Sequence, residues 1–176
     1  LFFLSAFCYL HEPRPMKGEE GRTLPEIIPF IPWAHQVPII RSIRENIGFE
    51  DIGVEKARGE GMSWIAVYIA LHDWVFAIPG TRMVSIGVVS RNLEMADSPD
   101  DPASLGWKFD WALKRLPKWM VGQEFSGKQK SSAVGWRRNM AEHTWRNLQN
   151  GSVITCYAAT AETGSGGRYT YFLLDE

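Results

Sequence analysis

A chain of 176 residues that is 45% hydrophobic and 22% charged suits one globular domain with a sizeable core and excludes a disordered or low-complexity polymer. Its formal net charge of -1 excludes nucleic-acid binding through bulk charge, so any such contact must come from local patches. The two cysteines, Cys8 and Cys156, have neither CxxC nor metal-ligand spacing, which excludes a disulfide scaffold and points to buried free thiols in a reducing compartment.

The opening "LFFLSAFCYL" is apolar but has no basic flank. It is too short to cross a membrane, where roughly 20 residues are needed, and a short strand is expected over 6–10. Glu12 to Pro32 is rich in Pro and Gly and reads as a loop. Ile39, Ile40, Ile43 and Ile47 fall on one face of a helix over 34–46, with Pro38 tolerated near its first turn. "DIGVEK" predicts a short strand that runs into a Gly-rich turn, and "MSWIAVYIALHDWVF" predicts an apolar helix buried on most sides.

"RMVSIGVVS" predicts a buried strand, followed by a polar, turn-rich segment from Ser90 to Pro102. "SLGWKFDWALKRL" reads as a helix stopped by Pro117, and Gly122 to Gly135 as a flexible basic loop. "SVITCYAAT" and "YTYFLLDE" are two further strands joined by "AETGSGGR". Alternating strands and helices predict an α/β fold: a mostly parallel sheet with helices on both faces. Ligands of such sheets sit outside the carboxyl ends of the strands. The Gly-rich turn, Ser90-Arg91 and Asp175-Glu176 all fall at such ends.

In "VEKARGEGMSW", Gly59 and Gly61 permit backbone conformations that bring N–H groups close to a phosphate. A helix beginning near Met62 adds its N-terminal dipole, and Ser63 places a hydroxyl where Mg²⁺ would sit. Met62 occupies the position at which the usual G-x-x-x-x-G-K-[ST] loop has its lysine, while Lys56 and Arg58 are nearby replacement cations. Taken alone, a plain strand–turn–helix connection also explains the two glycines. "YTYFLLDE" ends in two carboxylates that point to opposite faces. In phosphoryl transfer, Asp175 would hold Mg²⁺ and Glu176 would polarise the attacking water; the alternative is a solvated acidic turn.

In "PFIPWAHQ", the Gln36 amide can pair with an adenine edge while Phe30 or Trp33 packs on its face; a helix N-terminus explains the same residues. Arg168, in "GSGGR", lies at the opposite end of the last strand from Asp175. It is a candidate to reach a neighbouring subunit's nucleotide or is a surface arginine, and Arg91 is a similar candidate. His11, His35, His72 and His143 show no ligand spacing. Lys128, Lys130, Arg137 and Arg138, with Trp136 among them, form a basic stretch that reads as a DNA-phosphate contact or a solvated loop.

Taken in order, "PFIPWAHQ", "VEKARGEGMSWIAVYIALHDWVF", "VSRNLEMAD" and "GSGGRYTYFLLDE" resemble the N-terminal ATPase domain of the large terminase subunit of tailed bacteriophages. The resemblance covers nearly the whole chain and implies a P-loop NTPase of the RecA-like ASCE class. It implies an adenine motif at about 29–36, a Walker A loop at 56–63 and a Walker B strand at 171–176. By resemblance, Lys56 matches a variant lysine at the start of the loop, Arg58 an arginine often found inside it, and Ser63 the Mg²⁺ hydroxyl. Asp175 and Glu176 match the Walker B aspartate and the catalytic glutamate, and Gln36 the adenine glutamine. Gly59, Gly61 and Met62 complete the nucleotide-binding loop.

The cofactors so implied are ATP and Mg²⁺. The implied partners are double-stranded viral DNA, a portal protein, a small terminase subunit and further copies in a ring on the portal, without a membrane, in the host cytoplasm during virion assembly. The family's metal-dependent nuclease domain has no counterpart here. The chain starts at Leu1 and stops at Glu176, directly after an apolar strand, which is expected of a piece of a longer polypeptide. Two alternatives stand beside this reading: a helicase of the same nucleotide-binding class, and a catalytically inert interaction module.

Overall fold

The computed structural model describes residues 1–14, 17, 23, 25–55, 57, 59–77, 83–125, 134–160, 163 and 167–175. Its longest helix, α3 (Met62–Phe76), is the apolar run identified in the sequence. Buried residues occur on nearly every side of it, among them Trp64, Ile65, Val67, Tyr68, Leu71 and Trp74, as a helix surrounded by packing partners requires. Helix α1 (Phe2–Phe7) reaches it through Phe3, whose ring centroid lies 6.5 Å from that of Tyr68. Helix α5 (Leu105–Leu113) packs Trp111 against Trp64 with centroids 5.2 Å apart. Helix α2 (Gln36–Asn46) sends Arg44 to Asp73.

At the carboxyl end of α3, the buried Asn150 amide donates to the carbonyls of Trp74, Val75 and Ala77 at 3.0, 3.2 and 3.1 Å. Asn147 Nδ2 donates to Trp74 as well, at 3.1 Å. A helix end leaves carbonyls without intrahelical partners, and these two asparagines supply them.

Six strands form one mixed sheet in the order β4 (Gln123–Glu124), β5 (Gly135–Asn139), β6 (Thr144–Asn147), β7 (Val153–Ala158), β3 (Ser85–Ser90) and β8 (Tyr171–Leu174). Strand β3 is parallel to both neighbours, with Ile86 opposite Ile154 on one side and Tyr171 on the other. Strands β5 and β6 form an antiparallel hairpin, and β6 is also antiparallel to β7. The chain is therefore α/β, with a mixed sheet where a mostly parallel one was expected.

Helices on both faces were also expected, yet α3 and α5 lie on the same face. Trp145 of β6 meets both: Trp74 Nε1 donates to its carbonyl at 3.1 Å, and its own Nε1 donates to Asp110 at 2.6 Å. Alternation along the strands puts Ile86, Val88, Ile154 and Trp145 on that covered face, all fully buried. On the opposite face Arg146, Phe172 and Leu174 are exposed.

Other local expectations change too. Residues 2–7 are helical, and the strand β1 (Tyr9–His11) begins later than expected. It pairs with β2 (Ile27–Pro29), inside the segment read as loop. Residues 51–55 of "DIGVEK" are exposed and form no strand, because no ladder partner lies beside them among the described residues. A short helix, α4 (Leu93–Ala96), occupies part of the segment read as turn-rich, and another, α6 (Lys118–Val121), follows Pro117. Among the described residues, no helix is long and apolar enough to cross a membrane.

Candidate functional site

The Gly-rich turn delivers the chain into α3 through two left-handed residues, Gly59 at φ 86° and Gly61 at φ 67°. A side chain is strained in this region, so both glycines are required by the backbone path. Gly61 caps α3, and its carbonyl accepts from the N–H groups of Trp64 and Ile65, each at 3.1 Å. Met62 begins the helix with 9% exposure and belongs to the hydrophobic core. Its side chain is therefore packing material, and what it can offer to the expected nucleotide-binding loop is its backbone. Lys56, Arg58 and Glu176 lie outside the described residues.

In the first turn of α3, Ser63 meets the other end of the chain. Its Oγ donates to Asp175 Oδ2 at 3.2 Å across 112 positions. Asp175 is held there because β8 runs parallel to β3 and its N–H donates to the Val89 carbonyl at 2.9 Å. The pair is half-buried. A hydroxyl and a carboxylate at a helix N-terminus and a strand carboxyl end are hard oxygen ligands of the type Mg²⁺ takes alongside water and phosphate. They fit such an ion as two of its ligands. Among the described residues, no group of three or more His, Cys, Asp or Glu side chains converges on a metal site.

Gln36 is 3% exposed, and both ends of its amide are engaged. Oε1 accepts from the Trp33 N–H at 2.9 Å and Nε2 donates to the Glu60 carbonyl at 2.7 Å. The residue lies beside the loop, as expected, but its partners are backbone groups. His35 Nε2 is 3.0 Å from Glu60 Oε2 and adds a second tie between the same two segments.

Arg14 was not foreseen. Its Nη1 lies 4.0 Å from where a Cβ on Gly59 would stand, while Nε and Nη2 fork onto Glu12 at 2.7 and 2.6 Å. That hydrogen-bonded fork holds the Glu12 carboxyl below its ordinary pKa. Nothing in the local sequence signals this proximity, because the intervening chain is long and turn-rich.

Arg168 is exposed at the amino end of β8, the far end of that strand from Asp175. Four strand residues separate these ends by roughly 13 Å, so within one chain Arg168 stands away from the Ser63–Asp175 pair. Arg91, just past β3, is exposed with its Nη2 at 3.7 Å from Met95 Sδ.

Two described side chains of the basic stretch, those of Trp136 and Arg138, are buried. Trp136 is 2% exposed, and the Arg138 side chain is 5% exposed. Arg138 pairs with Asp97, lies 3.6 Å from Asp110 through Nε, and stacks 3.6 Å above the Trp145 ring. Lys128 and Lys130 lie outside the described residues. Cys8 and Cys156 are both buried free thiols, and burial raises both well above the ordinary thiol pKa. Elsewhere, a hollow of about 490 Å³ between α1, α3 and α6 is lined by residues including Phe3, Phe7, His72, Phe76 and Trp119 and shares none with the Ser63–Asp175 pair. No protein-family model, curated protein or solved structure matches this chain.

Proposed function

We propose that this chain is an ATP-hydrolysing P-loop domain of the kind that drives DNA packaging in viral terminases. The observation that carries the reading is the Ser63–Asp175 hydrogen bond. It joins a hydroxyl in the first turn of the helix that follows a Gly-rich loop to a carboxylate at the end of a parallel strand. That is the arrangement a metal-nucleotide site of this class needs.

In this reading, the loop at Gly59–Gly61 and the first turn of α3 receive the phosphates through backbone N–H groups. Lys56 and Arg58 supply the cation that Met62 does not. Ser63 and Asp175 would hold Mg²⁺, and the ion would supply positive charge against the phosphates. Glu176 orients and polarises the attacking water. Arg168, placed far from its own Asp175, would act on a neighbouring copy in a ring. The partners are double-stranded DNA, a portal protein and a small terminase subunit.

Calorimetric titration of the chain with Mg²⁺-ATP tests the reading. Binding that disappears in EDTA and is weakened by Lys56→Ala and Asp175→Asn is expected. A wild-type chain that is folded and takes up no Mg²⁺-ATP would instead be an interaction module. If Arg58→Ala abolished binding while Lys56→Ala did not, the cation would be reassigned to Arg58.

A further inference from the structure

We propose that Gln36 is a positioning residue that fastens the Gly-rich loop, and that the site accepts a nucleoside triphosphate without reading the edge of its base. This deepens the nucleotide-binding reading and rests on it. A carboxamide reads a purine edge by presenting a free donor and a free acceptor side by side. Gln36 presents neither to an open site: it is 3% exposed, its oxygen is taken by Trp33 N–H and its nitrogen by the Glu60 carbonyl. To turn toward a base it would leave both of these backbone groups without their partner. The contact with Glu60 lies directly before Gly61, where a Cβ would come 3.7 Å from Gln36 Nε2. The amide thus sets the carbonyl on the turn between the two left-handed glycines, and with it the entry of the chain into α3.

The neighbouring aromatic is available in a way that Gln36 is not. Trp33 is 54% exposed, and its ring centroid lies 5.4 Å from that of His35. An open indole face stacks on any base, because every base has a π-face, and so it adds affinity without choosing among bases. The geometry assigns loop-holding to Gln36 and base-stacking to Trp33.

The test titrates the chain with the Mg²⁺ complexes of ATP, GTP and inorganic tripolyphosphate. Wild type should bind ATP and GTP within about threefold of each other, since stacking discriminates weakly. Gln36→Ala should weaken all three ligands by a common factor of about tenfold, the size of one lost hydrogen bond. Trp33→Ala should weaken ATP and GTP together and leave tripolyphosphate unchanged. A wild-type preference for one base that Gln36→Ala erases, with tripolyphosphate unaffected, would overturn this inference and leave the nucleotide reading intact. No binding of any of the three would overturn both.

A ligand-free measurement keeps the inference testable if Gln36→Ala fails to fold. The Trp33 amide should exchange its hydrogen slowly in wild type, and Gln36→Met, which keeps the length of the side chain but removes the accepting oxygen, should speed its exchange more than that of other amides. Fast exchange of that amide in the wild type would sink the loop-holding role.

Discussion

Ser63 and Asp175 are 112 positions apart in the chain and 3.2 Å apart in space. The contact should show two separable effects. Ser63→Ala removes the donor and should cost about 1 kcal/mol in urea denaturation, the usual net worth of one hydrogen bond. Asp175→Asn keeps an oxygen that can accept from Ser63, so its stability should change by less than about 0.5 kcal/mol. The ordering should invert for ligand: the Asn variant loses the charge that a divalent ion needs, and added Mg²⁺-ATP should no longer raise its urea midpoint. Equal protection of wild type and Asp175→Asn by Mg²⁺-ATP would remove Asp175 from the metal site.

The end of α3 makes a second prediction, independent of any ligand. Asn150 is buried, donates to three carbonyls and accepts from the Ser152 N–H at 2.9 Å. Asn150→Ala leaves those groups without their partner in a buried place and should cost about 2 to 3 kcal/mol by urea denaturation. A loss below about 0.5 kcal/mol would mean that Asn147 or water takes over the cap.

The Asp97–Arg138 pair predicts an asymmetry between one change and two. Asp97 is almost wholly buried and accepts from Arg138 and from His143 Nδ1. Asp97→Ala strands the guanidinium. Breaking a buried pair from one side costs about 3 to 5 kcal/mol, and the remaining Asp110 and Trp145 contacts favour the lower figure. Adding Arg138→Met should restore part of the loss, because no uncompensated charge then remains. A double variant as unstable as the sum of the two single variants would refute this account of the pair.

These cases show what was legible in the sequence. Helix α3 could be read because fifteen consecutive residues are largely apolar and a glycine stands immediately before them. The Ser63–Asp175 contact could be read because each half carries its own local context, a glycine turn before a helix and carboxylates after an apolar strand. The β5–β6 hairpin could not. Arg137 and Arg138 of "GWRRN" read as part of a basic stretch, and what lets Arg138 lie buried in a strand is Asp97 and Asp110, from distant segments, which pair with it beneath the sheet. The role of Gln36 was hidden for a similar reason. Its amide can serve a base or a backbone, and the deciding contact, the Glu60 carbonyl, is 24 positions away. Side chains whose partners are remote in sequence are where local reading ends.

The last prediction concerns acid. Asp73 links three elements: Arg44 of α2 pairs with it, the Tyr171 hydroxyl of β8 donates to it at 3.2 Å, and His72 Nδ1 lies 3.2 Å away. Burial by itself would raise its pKa, but the hydrogen bonds from His72 and Arg44 outweigh burial and hold it below the ordinary carboxylate value. In the unfolded chain an aspartate titrates at about 3.9. Between that value and the lower folded one, the unfolded state binds the proton first, so stability falls as the pH falls. The contribution of Asp73 is therefore full above about pH 4 and disappears through the folded pKa beneath it. Asp73→Asn should be less stable than wild type at neutral pH, and the two urea midpoints should converge on acidification below about pH 4. Asp110 has the opposite shift, raised by burial against the bond from Trp145. It is present in both proteins, however, and cancels in the difference. A gap between the two midpoints that stays constant down to about pH 2 would show that the Asp73 contacts do not depend on its charge.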